Sequence, residues 1–272
     1  MLMKRTISFF IITLLFLPGC SLLKRRTEMV EEAKKSTPAP KQTSLKFSEE
    51  NPYVYLVPRA DGHAVKLYAS RFGEANHLDY ELTYKAGAQL QGAIGRFELK
   101  GESVGPEEIL LGTCSKGVCK YDEDVSEGNL TLKFLYKDIR EEKVWEGDFR
   151  LQEIGVKGGE VSSKDGKFAV DVPSGSVSGS GFVLTMPLLG LPKALGKKVE
   201  GLAYGVFPSP GAKINKGTVS FLFFSPPENF DKLSIFGWDG EKWVKYKTTP
   251  NVAKKTLSVP VGQASVFVVA EP

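Results

Sequence analysis

The sequence predicts an all-β protein, two β-sandwich domains in tandem after a short leader and a flexible tether. Three observations predict it. Apolar and polar residues alternate with a period of two in many short runs, clusters of Gly, Asp, Asn and Ser separate those runs, and no helical period longer than two turns is visible beyond the leader. The composition is that of a globular chain, with 42% hydrophobic and 25% charged residues. A length of 272 residues is enough to bury two modest cores. The formal charge is +4, but it is unevenly spread. Setting aside two basic residues in the leader, and seven basic and three acidic residues in 20–46, residues 47–272 hold 27 basic and 29 acidic side chains, a net of −2. A nucleic-acid binder would show a concentrated basic face, so no nucleic-acid partner is expected.

Residues 1–19 read as a secretory signal peptide. Lys4 and Arg5 precede an 11-residue apolar run from Ile7 to Leu17. The run is too short for a membrane span, which takes roughly 20 apolar residues. Leu17-Pro18-Gly19-Cys20 follows. This resembles the bacterial lipoprotein signal, a cysteine after a small residue with Leu three positions before it; Pro18 is less usual inside such a box. The resemblance implies cleavage before Cys20, lipidation of its thiol (diacylglycerol, with acyl groups such as palmitate), and an extracytoplasmic cell-envelope location with a membrane partner. Ser21 is compatible with sorting to an outer membrane, if the organism has one. Residues 20–45 are poor in large apolar side chains and carry Thr37-Pro38-Ala39-Pro40, so they are expected to form a disordered tether.

Residues 46–153 carry the clearest alternation. Leu78, Tyr80, Leu82 and Tyr84 point one way while Asp79, Glu81 and Thr83 point the other, giving one buried and one wet face. Similar runs occur at 53–57, 64–68, 94–99, 108–111, 130–136 and 144–151. Cys114 and Cys119 are separated by four residues including a Gly, a spacing a hairpin can close, and downstream of an export signal a disulfide is favoured. A redox catalyst would need C-x-x-C at a helix start, and a metal site would need further thiols or imidazoles. The segment resembles Ig-like modules of bacterial surface lipoproteins through Leu111-Gly112-Thr113-Cys114 and Gly117-Val118-Cys119; the likeness implies no specific function.

Residues 157–272 open with Gly158-Gly159-Glu160-Val161, a Lys164-Asp165-Gly166-Lys167 turn, and a strand running into Val172-Pro173-Ser174-Gly175-Ser176-Val177. Later landmarks are Phe207-Pro208-Ser209-Pro210-Gly211 and Trp238-Asp239-Gly240-Glu241-Lys242-Trp243. In this order the segments resemble a ZU5 domain, a β-sandwich of ankyrins, netrin receptors and bacterial surface proteins. Some relatives of that fold cleave themselves at a late His-Phe-Ser-type site. The matching stretch here is Gln263-Ala264-Ser265, and Gln263 cannot serve as the general base, so no self-cleavage is expected.

No phosphate loop, Ser-His-Asp set or metal cluster is apparent. The two histidines, His63 and His77, lie in stretches that read as loops, and Asp122-Glu123-Asp124 reads as a solvated turn. The expectation is therefore a non-enzymatic, lipid-anchored envelope protein acting as an interaction or structural module, with no cofactor and no metal, and with an unknown protein or glycan partner. The alternative is a carbohydrate-binding surface lipoprotein in which Trp238, Trp243 and Tyr204 contact sugar; cross-strand packing is the favoured role for the Trp pair. The apolar stretch from Leu184 to Leu195 offers Leu188 and Leu189 as partner contacts if it is exposed, and as sandwich cover if it is not.

Overall fold

The computed structural model describes residues 41–136 and 141–272. The leader, Cys20 and the expected tether up to residue 40 lie outside the described residues; Lys41–Ser44, which the sequence assigns to that disordered tether, is instead a strand held by backbone pairing with residues 141–144. Strands are the dominant secondary structure of the described residues, whose one helical element is a 3-10 turn at Phe230–Lys232.

The largest sheet has ten strands. Its order is β19 (Trp243–Lys245), β18 (Ser234–Trp238), β22 (Val266–Ala270), β15 (Tyr204–Pro208), β14 (Gly181–Pro187), β10 (Glu141–Ile154), β9 (Val125–Tyr136), β4 (Ala75–Ala86) and β5 (Gln89–Glu98); β1 (Lys41–Ser44) adds in parallel to β10. A second sheet runs β11 (Gly159–Ser162), β12 (Phe168–Val172), β17 (Gly217–Leu222), β21 (Thr256–Val261), β20 (Thr249–Asn251). A third holds β2 (Tyr53–Pro58), β3 (Ala64–Ser70) and β6 (Ser103–Leu110). Two small pairs remain, β7 (Gly112–Ser115) with β8 (Val118–Tyr121), and β13 (Val177–Ser178) with β16 (Lys213–Ile214).

In β4 the alternation expected from sequence holds: Leu78, Tyr80, Leu82 and Tyr84 are buried while Asp79, Glu81 and Thr83 face outward. The strands after β10 behave differently. Leu184, Met186, Val266 and Val268 enter one core with Leu56, Leu67 and Leu132, whereas Val183, Val206, Phe267 and Val269 enter a second core with Phe168, Val219 and Leu257. Neighbouring residues of β14 and β22 thus feed opposite cores. These strands form a middle layer, covered on one face by β2 and on the other by the second sheet. Tyr55 of β2 stacks on Phe207 of β15 at 4.8 Å.

The boundary expected between 153 and 157 therefore falls inside a continuous sheet. Arg150–Ile154 of β10 pair antiparallel with Thr185–Gly181 of β14. Residues Lys41–Pro272 form one compact unit with two cores. The reason is the double burial of the middle strands: a strand apolar on both faces must be covered twice, and each half of the chain supplies one cover.

The apolar stretch after β14 is part of that cover. Leu188, Leu189 and Leu191 are all 0% exposed, so Leu188 and Leu189 are core residues and not partner contacts. Their backbone is fastened along its length. Leu188 N donates to Ala203 O at 2.9 Å and Ser48 N to Leu189 O at 3.1 Å. The Arg71 guanidinium donates to Leu191 O at 2.5 Å. The Glu49 carboxylate accepts from the backbone N–H of Leu195 at 2.8 Å and Gly196 at 3.0 Å. An apolar crossover held by so many main-chain partners satisfies the polar groups it buries.

Candidate functional site

The disulfide hairpin holds the longest unbroken run of exposed residues among those described. Leu111, fully buried, marks its root: Leu111 N donates to His63 O at 2.9 Å and Asp122 N returns to Leu111 O at 3.0 Å. Between these two bonds, residues 113–121 are all exposed, with Val118 at 76% near the tip. Cys114 and Cys119 face each other across the pair with Cα atoms 4.0 Å apart, joined by the expected disulfide. Ser115 pairs with Val118, so Lys116 and Gly117 alone make the turn. Both have positive φ, 49° and 82°, which is the two-residue type I′ geometry whose twist suits a hairpin. A hairpin that buries almost nothing cannot order itself by core packing. The disulfide supplies about 2 kcal/mol for so short a loop.

The second fastening is a lock at the root that nothing in the sequence announces. Tyr121 lies flat against His63, with ring centroids 4.3 Å apart and planes 6° from parallel. The Arg59 guanidinium sits 5.6 Å from the same ring. Arg59 is itself held, donating to Asp61 at 2.7 Å and Glu108 at 2.8 Å. That hydrogen bond from Arg59 keeps the Asp61 carboxyl below the usual carboxylate range. His63 Nδ1 lies 3.6 Å from Asp61 Oδ2. His63 thus belongs to this lock, and His77 is a residue of β4, not of a loop. Asp122 is likewise not merely a solvated turn residue, because it accepts the Tyr84 hydroxyl hydrogen bond at 2.8 Å.

The Trp238–Trp243 pair sits across the β18–β19 hairpin as the sequence suggests, in direct register. The rings meet edge to face at 5.4 Å and pack against the first core. Trp243 Nε1 donates to Lys193 O at 2.9 Å, pinning the crossover. This geometry presents no flat double platform of the kind that stacks on a sugar ring. The hairpin turn is held by Asp239 Oδ1, which accepts from Glu241 N and Lys242 N, both at 2.9 Å.

Tyr204 is 2% exposed and cannot touch a glycan. Its hydroxyl donates to Asp165 Oδ2 at 2.7 Å, and burial, reinforced by that carboxylate, pushes its pKa well above the ordinary value of 10.0. The neutral form is thus favoured by folding, so this stabilisation is complete below the unfolded pKa of about 10 and is lost as pH rises beyond it. We expect Tyr204→Phe to cost about 1.5 kcal/mol at neutral pH and to flatten the decline in stability above pH 10, read by urea unfolding across a pH series. An unchanged alkaline slope in the variant would refute the assignment.

Gln263 and Ser265 line a small cavity of about 210 Å³ with Lys213 and Asp239. The Gln263 amide donates weakly to Asn215 Oδ1 at 3.4 Å, and Ser265 is tied into the sheet by Ser265 N to Trp238 O at 3.0 Å and Val206 N to Ser265 O at 2.8 Å. No basic nitrogen stands in Gln263 to take the proton of the Ser265 hydroxyl. Among the described residues no three His, Cys, Asp or Glu side chains cluster as metal ligands, and no helix is long and apolar enough to cross a membrane. The chain matches no known family model and no curated protein.

Proposed function

We propose that this chain is a lipid-anchored cell-envelope protein without enzymatic activity, which uses its disulfide hairpin to contact a protein partner. The observation that carries the reading is a run of nine exposed residues, 113–121, held rigid by a disulfide, a two-residue turn and a stacked root. Rigid presentation lowers the entropy lost on association, which is what a recognition element gains from being ordered in advance. An exposed Val118 between Lys116 and Lys120 offers a small apolar tip with a basic rim. The leader ending in Leu17-Pro18-Gly19-Cys20 supports export and acylation, and two or more acyl chains give stable anchoring. Export in turn accords with a disulfide, since such bonds persist in oxidising compartments. The resemblance of residues 157–272 to ZU5 sandwiches supports an interaction or structural module.

The test has two arms. Mass spectrometry of the mature N-terminus is expected to find acylated Cys20; an unmodified N-terminus at another residue would remove the anchor. A photo-crosslinking side chain at Val118 in intact cells is expected to give a discrete adduct that the Cys114→Ser, Cys119→Ser chain loses at least five-fold, with its melting temperature lowered by only a few degrees. An adduct of equal yield without the disulfide, or none from position 118, would overturn the hairpin's role.

A further inference from the structure

Every exposed sheet edge offers unpaired main-chain groups to another strand, and most proteins guard theirs. In this chain the guards are visible edge by edge. In the second sheet β11 is only four residues long and β20 carries Pro250. In the third sheet β6 carries Pro106 and a register irregularity opposite Leu67–Ala69, while β2 lies against β14 and β15. At one end of the large sheet β19 has three residues, ending in Lys245.

The other end is different. Among the described residues β5 pairs only with β4; it runs for ten residues, Gln89–Glu98, and contains neither Pro nor Lys. Its outward side chains include Leu90 at 73% and Ile94 at 81% exposure. The charged residues stand at its far end, where Arg96 is already bound by both oxygens of Asp79 and Glu98 by Lys100. Pairing of Thr83 with Gly92, Glu81 with Ile94 and Lys85 with Leu90 places Leu90, Gly92 and Ile94 on one face of the sheet.

We propose that β5 is a self-association edge, on which a second copy of this chain pairs antiparallel about a two-fold axis through Gly92. In Leu90-Gln91-Gly92-Ala93-Ile94 the outward apolar residues Leu90 and Ile94 stand symmetrically about Gly92. In that register Leu90 lies directly opposite Ile94 of the second copy, Ile94 opposite Leu90, and Gln91 opposite Ala93. Both apolar side chains that each copy leaves in water are then covered by their opposite numbers. Arg96 and Glu98 extend past the paired segment, so no like charges meet. Sliding the strands by two places in either direction sets Leu90 against Gly92 or against Arg96 of the second copy. A one-place offset of the pairing would oppose outward to inward side chains. The complementarity thus selects one occupant and one register. Gly92 at the axis lets the two backbones approach without crowding; a Cβ there would come within a tight 3.2 Å of the Leu82 carbonyl oxygen. A closed two-fold contact uses up both free edges, which stops further growth along this direction.

The experiment is disulfide trapping of the full chain in its native membranes, with the unsubstituted chain as control for Cys20, Cys114 and Cys119. Gly92→Cys is expected to give a dimer on a non-reducing gel after mild oxidation. Ile94→Cys alone is expected to give none, whereas co-expression of Ile94→Cys with Leu90→Cys gives the mixed dimer; this pair also covers the case in which Gly92→Cys fails to accumulate. Adding Ile94→Lys to Gly92→Cys is expected to reduce the dimer at least ten-fold while the chain still accumulates folded, since residue 94 is exposed in the single copy. No dimer from either the Gly92 or the mixed pair, a crosslink to a different protein in its place, or a Gly92→Cys dimer insensitive to Ile94→Lys would overturn the proposal.

Discussion

Phe267→Ala is expected to destabilise the protein by about 4 kcal/mol, in the range for truncating a buried aromatic, and to do so within one cooperative transition. Phe267 is 2% exposed and packs in the second core with Phe168 at 5.9 Å between ring centroids. Its neighbour Val268 belongs to the first core. If the two cores were independent, Phe267→Ala would lower one transition and leave another in place. Because β22 pairs with both β15 and β18 and contributes to both cores, its loosening reaches each of them. Val268→Ala is expected to shift the same single transition by about 2 kcal/mol, less because fewer methyl groups leave. Urea unfolding followed by far-UV circular dichroism and by tryptophan fluorescence is the measurement. The three tryptophans Trp145, Trp238 and Trp243 all pack on the first core, so fluorescence reports that side while far-UV dichroism reports both. Separate midpoints for the two probes after Phe267→Ala would refute a shared middle layer.

Gly190→Ala is expected to cost about 3 kcal/mol, at the upper end for overpacking. A Cβ at residue 190 would lie 2.1 Å from the Asn51 carbonyl oxygen and 2.8 Å from that of Pro52, both backbone atoms that cannot swing aside. The flanking residues are committed too, through Ser48 N to Leu189 O on one side and Arg71 to Leu191 O on the other. The chain cannot yield without surrendering these bonds. Gly262→Ala is the control: a Cβ there would have no neighbour within 4 Å, and the effect should stay below about 0.5 kcal/mol. Comparable losses for the two substitutions would mean that the crossover is not clamped between Asn51 and the core.

The difference between β4 and β22 shows what the sequence could reveal. Leu78-Asp79-Tyr80-Glu81-Leu82 alternates because one of its faces meets water, and that contrast is printed in the residues. Val266-Phe267-Val268-Val269-Ala270 has no contrast, because both faces are dry. A uniform apolar strand says that it is buried but not how many layers cover it, so the shared sheet stays hidden. The same ambiguity attends Leu188 and Leu189, whose apolar run with two prolines fits either an exposed patch or a pinned crossover. What decides between them are partners distant in sequence, Ser48, Glu49 and Arg71.

The hairpin is legible from its spacing, since four residues between cysteines and a Lys116-Gly117 turn prescribe a local geometry. Its root is not. His63 and Arg59, the latter held by Glu108, meet Tyr121 only after β2, β3 and β6 have come into register, and nothing local in the chain signals that meeting. The β5 edge lies between these cases. Its second half alternates as a strand should, but that it ends a sheet depends on which strands fail to pair beside it.

The position of β22 has a consequence for the order of assembly. It leaves any ribosome or membrane pore that delivers the chain N-terminus first only after β1 to β21, yet both interiors await its side chains. A nascent chain stopped before Val266 would hold two unfinished hydrophobic faces at once, with no completed half to shelter the other. Vectorial delivery would therefore leave both cores incomplete until Val266–Ala270 has emerged.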